Sequence, residues 1–198
     1  MLLFLALLVP AAQAATPSRT VLVFGDSLSA GYGMAASQGW VALLGKRLAV
    51  EHPQWKVVNA SVSGETTAGG VSRIDKVLQR TDPDLVVIEL GANDGLRGLP
   101  LATTRANLTR MVRAAEESGA DVLLVGMRMP PNLGRAYTDG FAANYTRVAK
   151  SEKVALLPFL LAPVAGDRGN FQPDNLHPTA AVQPELLDHV WKSLEPLL

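Results

Sequence analysis

Leu85-Val86-Val87-Ile88-Glu89-Leu90 is a nearly continuous apolar run broken by one carboxylate. Such a run marks a strand buried on both faces, as in a parallel sheet covered by helices on either side. The flanking sequence keeps the matching rhythm. Residues 20–24 are β-branched and apolar, 56–60 form a second short strand, and 122–125 and 154–161 supply two more. Between them Trp40, Val41, Leu43, Leu44 and Leu48 recur at helical spacing, and residues 71–80 form a helix that ends before Pro83. Residues 103–118 make a long helix closed by Gly119, and 136–150 another. The last helix, 180–194, carries Leu186, Leu187, Val190, Trp191 and Leu194 as one apolar stripe. Strict β-α alternation predicts an α/β, three-layer fold with a single, mostly parallel five-stranded sheet and helices on both faces.

The chain has 198 residues, 48% of them apolar and 18% charged, which fits one globular domain with a sizeable core. Lys plus Arg equals Asp plus Glu at 18 each, so no overall field attracts nucleic acid or an anionic membrane. Cysteine is absent, which removes disulfides, thiolate catalysis and Cys-based zinc sites. Leu2 to Val9 is apolar but too short to span a bilayer, and Ala12-Gln13-Ala14 has the small-x-small form of a signal-peptidase site. Residues 1–14 are therefore expected to be a signal peptide, cleaved after Ala14 or Ala15, although no Lys or Arg precedes the apolar run. The expected product is residues 15–198 as one domain, periplasmic or secreted, monomeric and without a stable membrane anchor.

In open α/β sheets, sites form outside the carboxyl ends of the strands. Four motifs fall there. Ser27 follows the first strand in Gly25-Asp26-Ser27-Leu28, and Ser61-Val62-Ser63-Gly64-Glu65-Thr66 follows the second. Gly91-Ala92-Asn93-Asp94-Gly95 follows the third, and Asp174-Asn175-Leu176-His177-Pro178 lies beyond the fifth. A serine at a strand end, with an imidazole and a carboxylate three residues apart, is a candidate nucleophile, base and orienter. Taken singly, each has an ordinary reading as a turn, cap or surface loop residue. Their joint occurrence favours chemistry. Position 29 is Ser rather than Gly, so no Gly-x-Ser-x-Gly elbow is present. No third ligand stands with Asp174 and His177, so neither a metal nor a cofactor is expected.

Gly-Asp-Ser-Leu at 25–28, Gly64, Gly-x-Asn-Asp at 91–94 and Asp-x-x-His-Pro at 174–178 resemble the four blocks of the SGNH (GDSL-type) hydrolases. The similarity runs from about Thr20 to the C-terminus. Within the family it looks nearest to bacterial periplasmic thioesterase I, lysophospholipase and arylesterase proteins. The resemblance implies a flavodoxin-like SGNH hydrolase fold and a serine esterase acting on acyl esters, thioesters or lysophospholipids through an acyl-enzyme on Ser27. It implies oxyanion donors at the Ser27 N–H, the Gly64 N–H and the Asn93 side-chain amide. It also implies that the 95–100 loop moves on substrate binding. Loops after the third and fourth strands offer Leu96, Leu99, Met129, Pro130, Pro131 and Leu133 as walls of an acyl groove. A carbohydrate O-deacetylase and a non-catalytic lipid-binding protein stay open as alternatives.

Overall fold

β1 (Arg19–Gly25) lies between β2 (Trp55–Asn59) and β3 (Leu85–Glu89), with Val23 in register with Asn59 on one side and Val87 on the other. The computed structural model describes residues 18–198. The expected leader, with its cleavage site, lies outside the described residues. β4 (Asp121–Val125) and β5 (Ala155–Leu157) extend the sheet to the order β2-β1-β3-β4-β5, and every neighbouring pair is parallel. This is the flavodoxin-like order, and the strand order reverses at β1 and β3. Every residue of β3 is buried, Glu89 included, as the apolar run requires.

Helices cover both faces. α2 (Trp40–Glu51) and α7 (Gln183–Leu194) pack together on one side, and α3 (Thr67–Thr81), α5 (Leu101–Glu117) and α6 (Arg135–Glu152) pack in sequence on the other. Two short helices, α1 (Ser27–Ala30) and α4 (Ala92–Leu96), open directly from the carboxyl ends of β1 and β3. α5 ends where its sequence says it should. The Gly119 N–H bonds the Glu116 carbonyl at 2.9 Å and the Ala120 N–H bonds the Ala115 carbonyl at 3.2 Å, a Schellman closure. Among the described residues, no helix is long and apolar enough to cross a membrane.

The fifth strand is shorter than the 154–161 run predicts. Pro158 has no N–H for a ladder, so pairing stops at Leu157. The chain then folds back over β4: the Leu160 N–H bonds the Gly126 carbonyl at 2.9 Å. Phe159 and Leu161 are thereby released from the sheet, with consequences at its carboxyl edge.

Candidate active site

Two separate pieces of chain build the site. The first is the turn after β1. The buried Asp26 caps α1 by accepting the Leu28 N–H at 3.0 Å, so Ser27 becomes the first residue of that helix. Gly25 is pinned to the loop after β2: its N–H reaches the Ser61 hydroxyl at 3.1 Å, and its carbonyl takes the Val62 N–H at 3.0 Å. A Cβ at Gly25 would lie 2.9 Å from Glu89 Oε2 and from Ser29 Cβ, so no larger residue fits there. These bonds bring Gly64, in a left-handed turn at φ 79°, beside Ser27. Among the described residues, the N–H groups of Ser27 and Gly64 have no acceptor.

The second piece is the loop before α7. Phe171 and Pro178 form an isolated antiparallel bridge, flanked by the Gln172 N–H on the His177 carbonyl at 2.8 Å. Inside it, Asp174 Oδ1 accepts the N–H of Leu176 at 2.9 Å and of His177 at 3.0 Å. Its other oxygen lies 2.7 Å from His177 Nδ1, and His177 Nε2 lies 2.8 Å from Ser27 Oγ. The Leu176 N–H, with the His177 ring and N–H, holds the Asp174 carboxyl down at about 2 against the opposing effect of burial. An ionised carboxylate can only accept, so Nδ1 carries the proton and Nε2 presents its lone pair to the Ser27 hydroxyl.

Beneath the serine lies a floor of buried acids. Burial pushes Asp26 up to about 6, even though the Leu28 N–H, His177 and Asn93 favour its charge. Glu89 is raised further above its ordinary range, first by complete burial and then by the Asp26 charge. Glu89 Oε2 accepts from the Ser29 hydroxyl at 2.7 Å, while its Oε1 has no partner. An ionised carboxylate so placed would be very costly, so burial favours the neutral acid at Glu89. Asp94 serves a different purpose: it takes the N–H and hydroxyl of Thr67 at 2.8 and 2.5 Å and ties α4 to the start of α3.

Asn93 reaches into the gap between the two pieces. Its amide nitrogen is 3.1 Å from Asp26 Oδ2 and 3.0 Å from the Glu65 carbonyl. Glu65 itself is paired with Arg73. The other histidines lie apart from the serine. His189 meets the Phe159 carbonyl at 3.0 Å, and His52 packs against Trp191.

A groove of about 520 Å³ opens beside Ser27. Of the residues expected as groove walls, Leu96, Met129, Pro130 and Pro131 line it. Leu99 and Leu133 do not. The Leu99 carbonyl accepts from the Tyr137 hydroxyl at 2.9 Å, and Leu133 packs against the core instead. Sequence reasoning missed Tyr32, Phe159, Leu161, Phe171 and Leu176, which also line it. Pro158 was the available signal for two of them, since a shorter β5 frees Phe159 and Leu161 for the groove. The 95–100 segment is also less open than its glycines suggest. Gly95 belongs to α4, and a Cβ there would collide with the Met129 side chain. Gly95 is a packing requirement, and the left-handed backbone of the segment is at Gly98, φ 64°.

The sheet order, with Ser27 at the β1 switch point in line with His177 and Asp174, is that of the flavodoxin-like SGNH hydrolase fold. Residues 23–183 match the GDSL-like lipase/acylhydrolase family, and the chain belongs to it. It is 52% identical to Esterase TesA of Pseudomonas aeruginosa, over 98% of this chain and 96% of that protein. It is 41% identical to thioesterase 1/protease 1/lysophospholipase L1 of Escherichia coli (strain K12), over 99% of this chain and 91% of that one. The crystal structure of the psychrotrophic esterase EstA from Pseudoalteromonas sp., inhibited by monoethylphosphonate, superposes with a TM-score of 0.86. It is 37% identical and covers 90% of this chain and 97% of that one.

Proposed function

We propose that the protein is a serine esterase that hydrolyses acyl esters and thioesters through an acyl-enzyme on Ser27. The observation that carries this reading is the unbroken line from Asp174 through His177 to Ser27 Oγ, at 2.7 and 2.8 Å, beside an apolar groove. His177 Nε2 takes the Ser27 proton as Oγ attacks the acyl carbon, and Asp174 stabilises the imidazolium that results. The N–H groups of Ser27 and Gly64 and the Asn93 amide meet the oxyanion. Both Asn93 amide hydrogens already have acceptors, so the oxyanion exchanges with or shares one of them. Collapse breaks the acyl C–O or C–S bond, and the leaving atom takes the proton from Nε2. Water then repeats the sequence on the acyl-serine, returning the free acid and Ser27.

The groove side chains Leu96, Met129, Phe159 and Leu161 favour an acyl chain longer than acetyl, which argues against a carbohydrate deacetylase. Lysophospholipids fit the same requirement, and the reading includes a monomer exported through the 1–14 leader. The test is hydrolysis of p-nitrophenyl esters from acetyl to palmitoyl, beside Ser27→Ala and a serine-directed phosphonate. Activity that depends on Ser27 and peaks at medium or long chains is expected. An acetyl-only profile would point to the deacetylase. A folded protein that takes no phosphonate and turns over no ester would leave lipid binding. N-terminal sequencing of the exported protein, expected to begin at Ala15 or Thr16, checks the leader.

A further inference from the structure

Tyr32 is a large side chain left half in solvent, 50% exposed, at the mouth of the groove. Its ring centroid stands 4.5 Å from that of His177, with the planes tilted by 37°. The chain is arranged to keep it there. Gly31 and Gly33 on either side are both left-handed, at φ 75° and 73°, a backbone that side chains rarely adopt. The Tyr32 carbonyl accepts from Gln172 Nε2 at 2.8 Å, and the same amide reaches the Pro178 carbonyl at 3.1 Å. A Cβ on Gly33 would collide with the Gln172 amide, so the clamp fits only a glycine there. One side chain therefore locks the Tyr32 turn to the His177 loop. The Tyr32 hydroxyl makes no hydrogen bond among the described residues, so the part of this residue put to use is the ring face.

Position decides what that face meets. His177 Nε2 must hand its proton to the leaving atom, so the departing alcohol or thiol leaves past the imidazole. The exposed half of the Tyr32 ring adjoins that exit. We propose that Tyr32 is the specificity-determining residue of the leaving-group side, a platform that favours esters whose alcohol portion is aromatic. This rests on the reading of Ser27 and His177 as nucleophile and base. Aromatic pairs at such separations favour stacking or tilted packing, and the expected preference is about 2- to 10-fold.

The experiment compares kcat/KM for phenyl butanoate and 2,2,2-trifluoroethyl butanoate. Both leaving groups are activated, and only one is aromatic. Tyr32→Leu should lower the aryl-to-alkyl ratio about 2- to 10-fold, Tyr32→Phe should keep it, and Tyr32→Trp should raise it. Phosphonate titration of Ser27 supplies the concentration of folded sites for each variant. An equal loss on both esters would reduce Tyr32 to a support for His177, and an unchanged ratio in Leu and Trp variants would also overturn the proposal. Turnover surviving in Ser27→Ala would instead sink the hydrolase reading beneath it, whatever the Tyr32 ratios.

Discussion

Ser27 and His177, the two halves of the candidate site, are held in opposite ways. Ser27 sits on a turn rooted in the central strand, above fully buried carboxyls and against a glycine with no spare room. His177 sits on a loop with only one isolated β-bridge, positioned by its own short hydrogen bonds and by the Gln172 clamp. Burial fixes the first side because packed interiors yield little. Polar bonds fix the second, where solvent competes for every one of them. The Ser27–His177 contact thus spans a rigid edge and a softer one, and errors should arise mainly on the loop.

The harshest way to break the comparison is to remove either partner. Ser27→Ala and His177→Ala should each lower kcat by about 10⁴-fold or more, and the double variant should fall no further, because such groups act as a unit. Additive losses in steady-state kinetics would mean that the two pieces do not work together. Between them stands Asn93. Asn93→Ala should cost about 10²- to 10³-fold in kcat, as loss of one oxyanion donor does, with KM little changed. An effect confined to KM would remove it from that role.

Glu89 sharpens the rigid side. Its folded-state pKa is raised above the ordinary 4.5, so its stabilising share is complete below that value and declines as pH rises towards the folded value. The decline is at most about 1.4 kcal/mol per pH unit within that window. Glu89→Gln mimics the neutral acid and removes the decline. Thermal melts should show the variant gaining on the parent at pH 8 and not at pH 4. Parallel melting curves across that range would mean that Glu89 is ionised in the fold. Asp174, already held at about 2, should add nothing to a loss of activity between pH 4 and 7. The smallest effect belongs to the clamp. Gln172→Ala should lower kcat several-fold, with the melting temperature nearly unchanged, since it frees the loop at a cost of about 1 kcal/mol. A large drop in melting temperature would show that the loop is part of the core's cooperative unit.

Several elements are legible in the sequence alone. The 85–90 run announced a strand buried on both faces, Gly119 marked the end of α5, and the four motifs were expected at one edge of the sheet. What failed is instructive. The 154–161 run has an apolar pattern that a strand and a folded-back groove wall share, and periodicity over so few residues does not separate them. Leu99 and Leu133 are apolar residues in the right loops, yet their neighbours in space, Tyr137 and the core, are decided elsewhere in the chain.

Sequence by itself determined the alternation of strands and helices, the loops that carry Ser27, Asn93, Asp174 and His177, and the family. Those properties are written in local order, in the spacing of apolar residues and the chemistry of short motifs. Only the tertiary structure decided that burial favours the neutral form of Glu89, that Gly95 packs against Met129, and that Phe159, Leu161, Phe171 and Leu176 join the groove. It also brought Tyr32 against His177, which lies 145 positions further along the chain. Burial and contact between distant segments exist only once the chain has closed on itself, so no local pattern reports them.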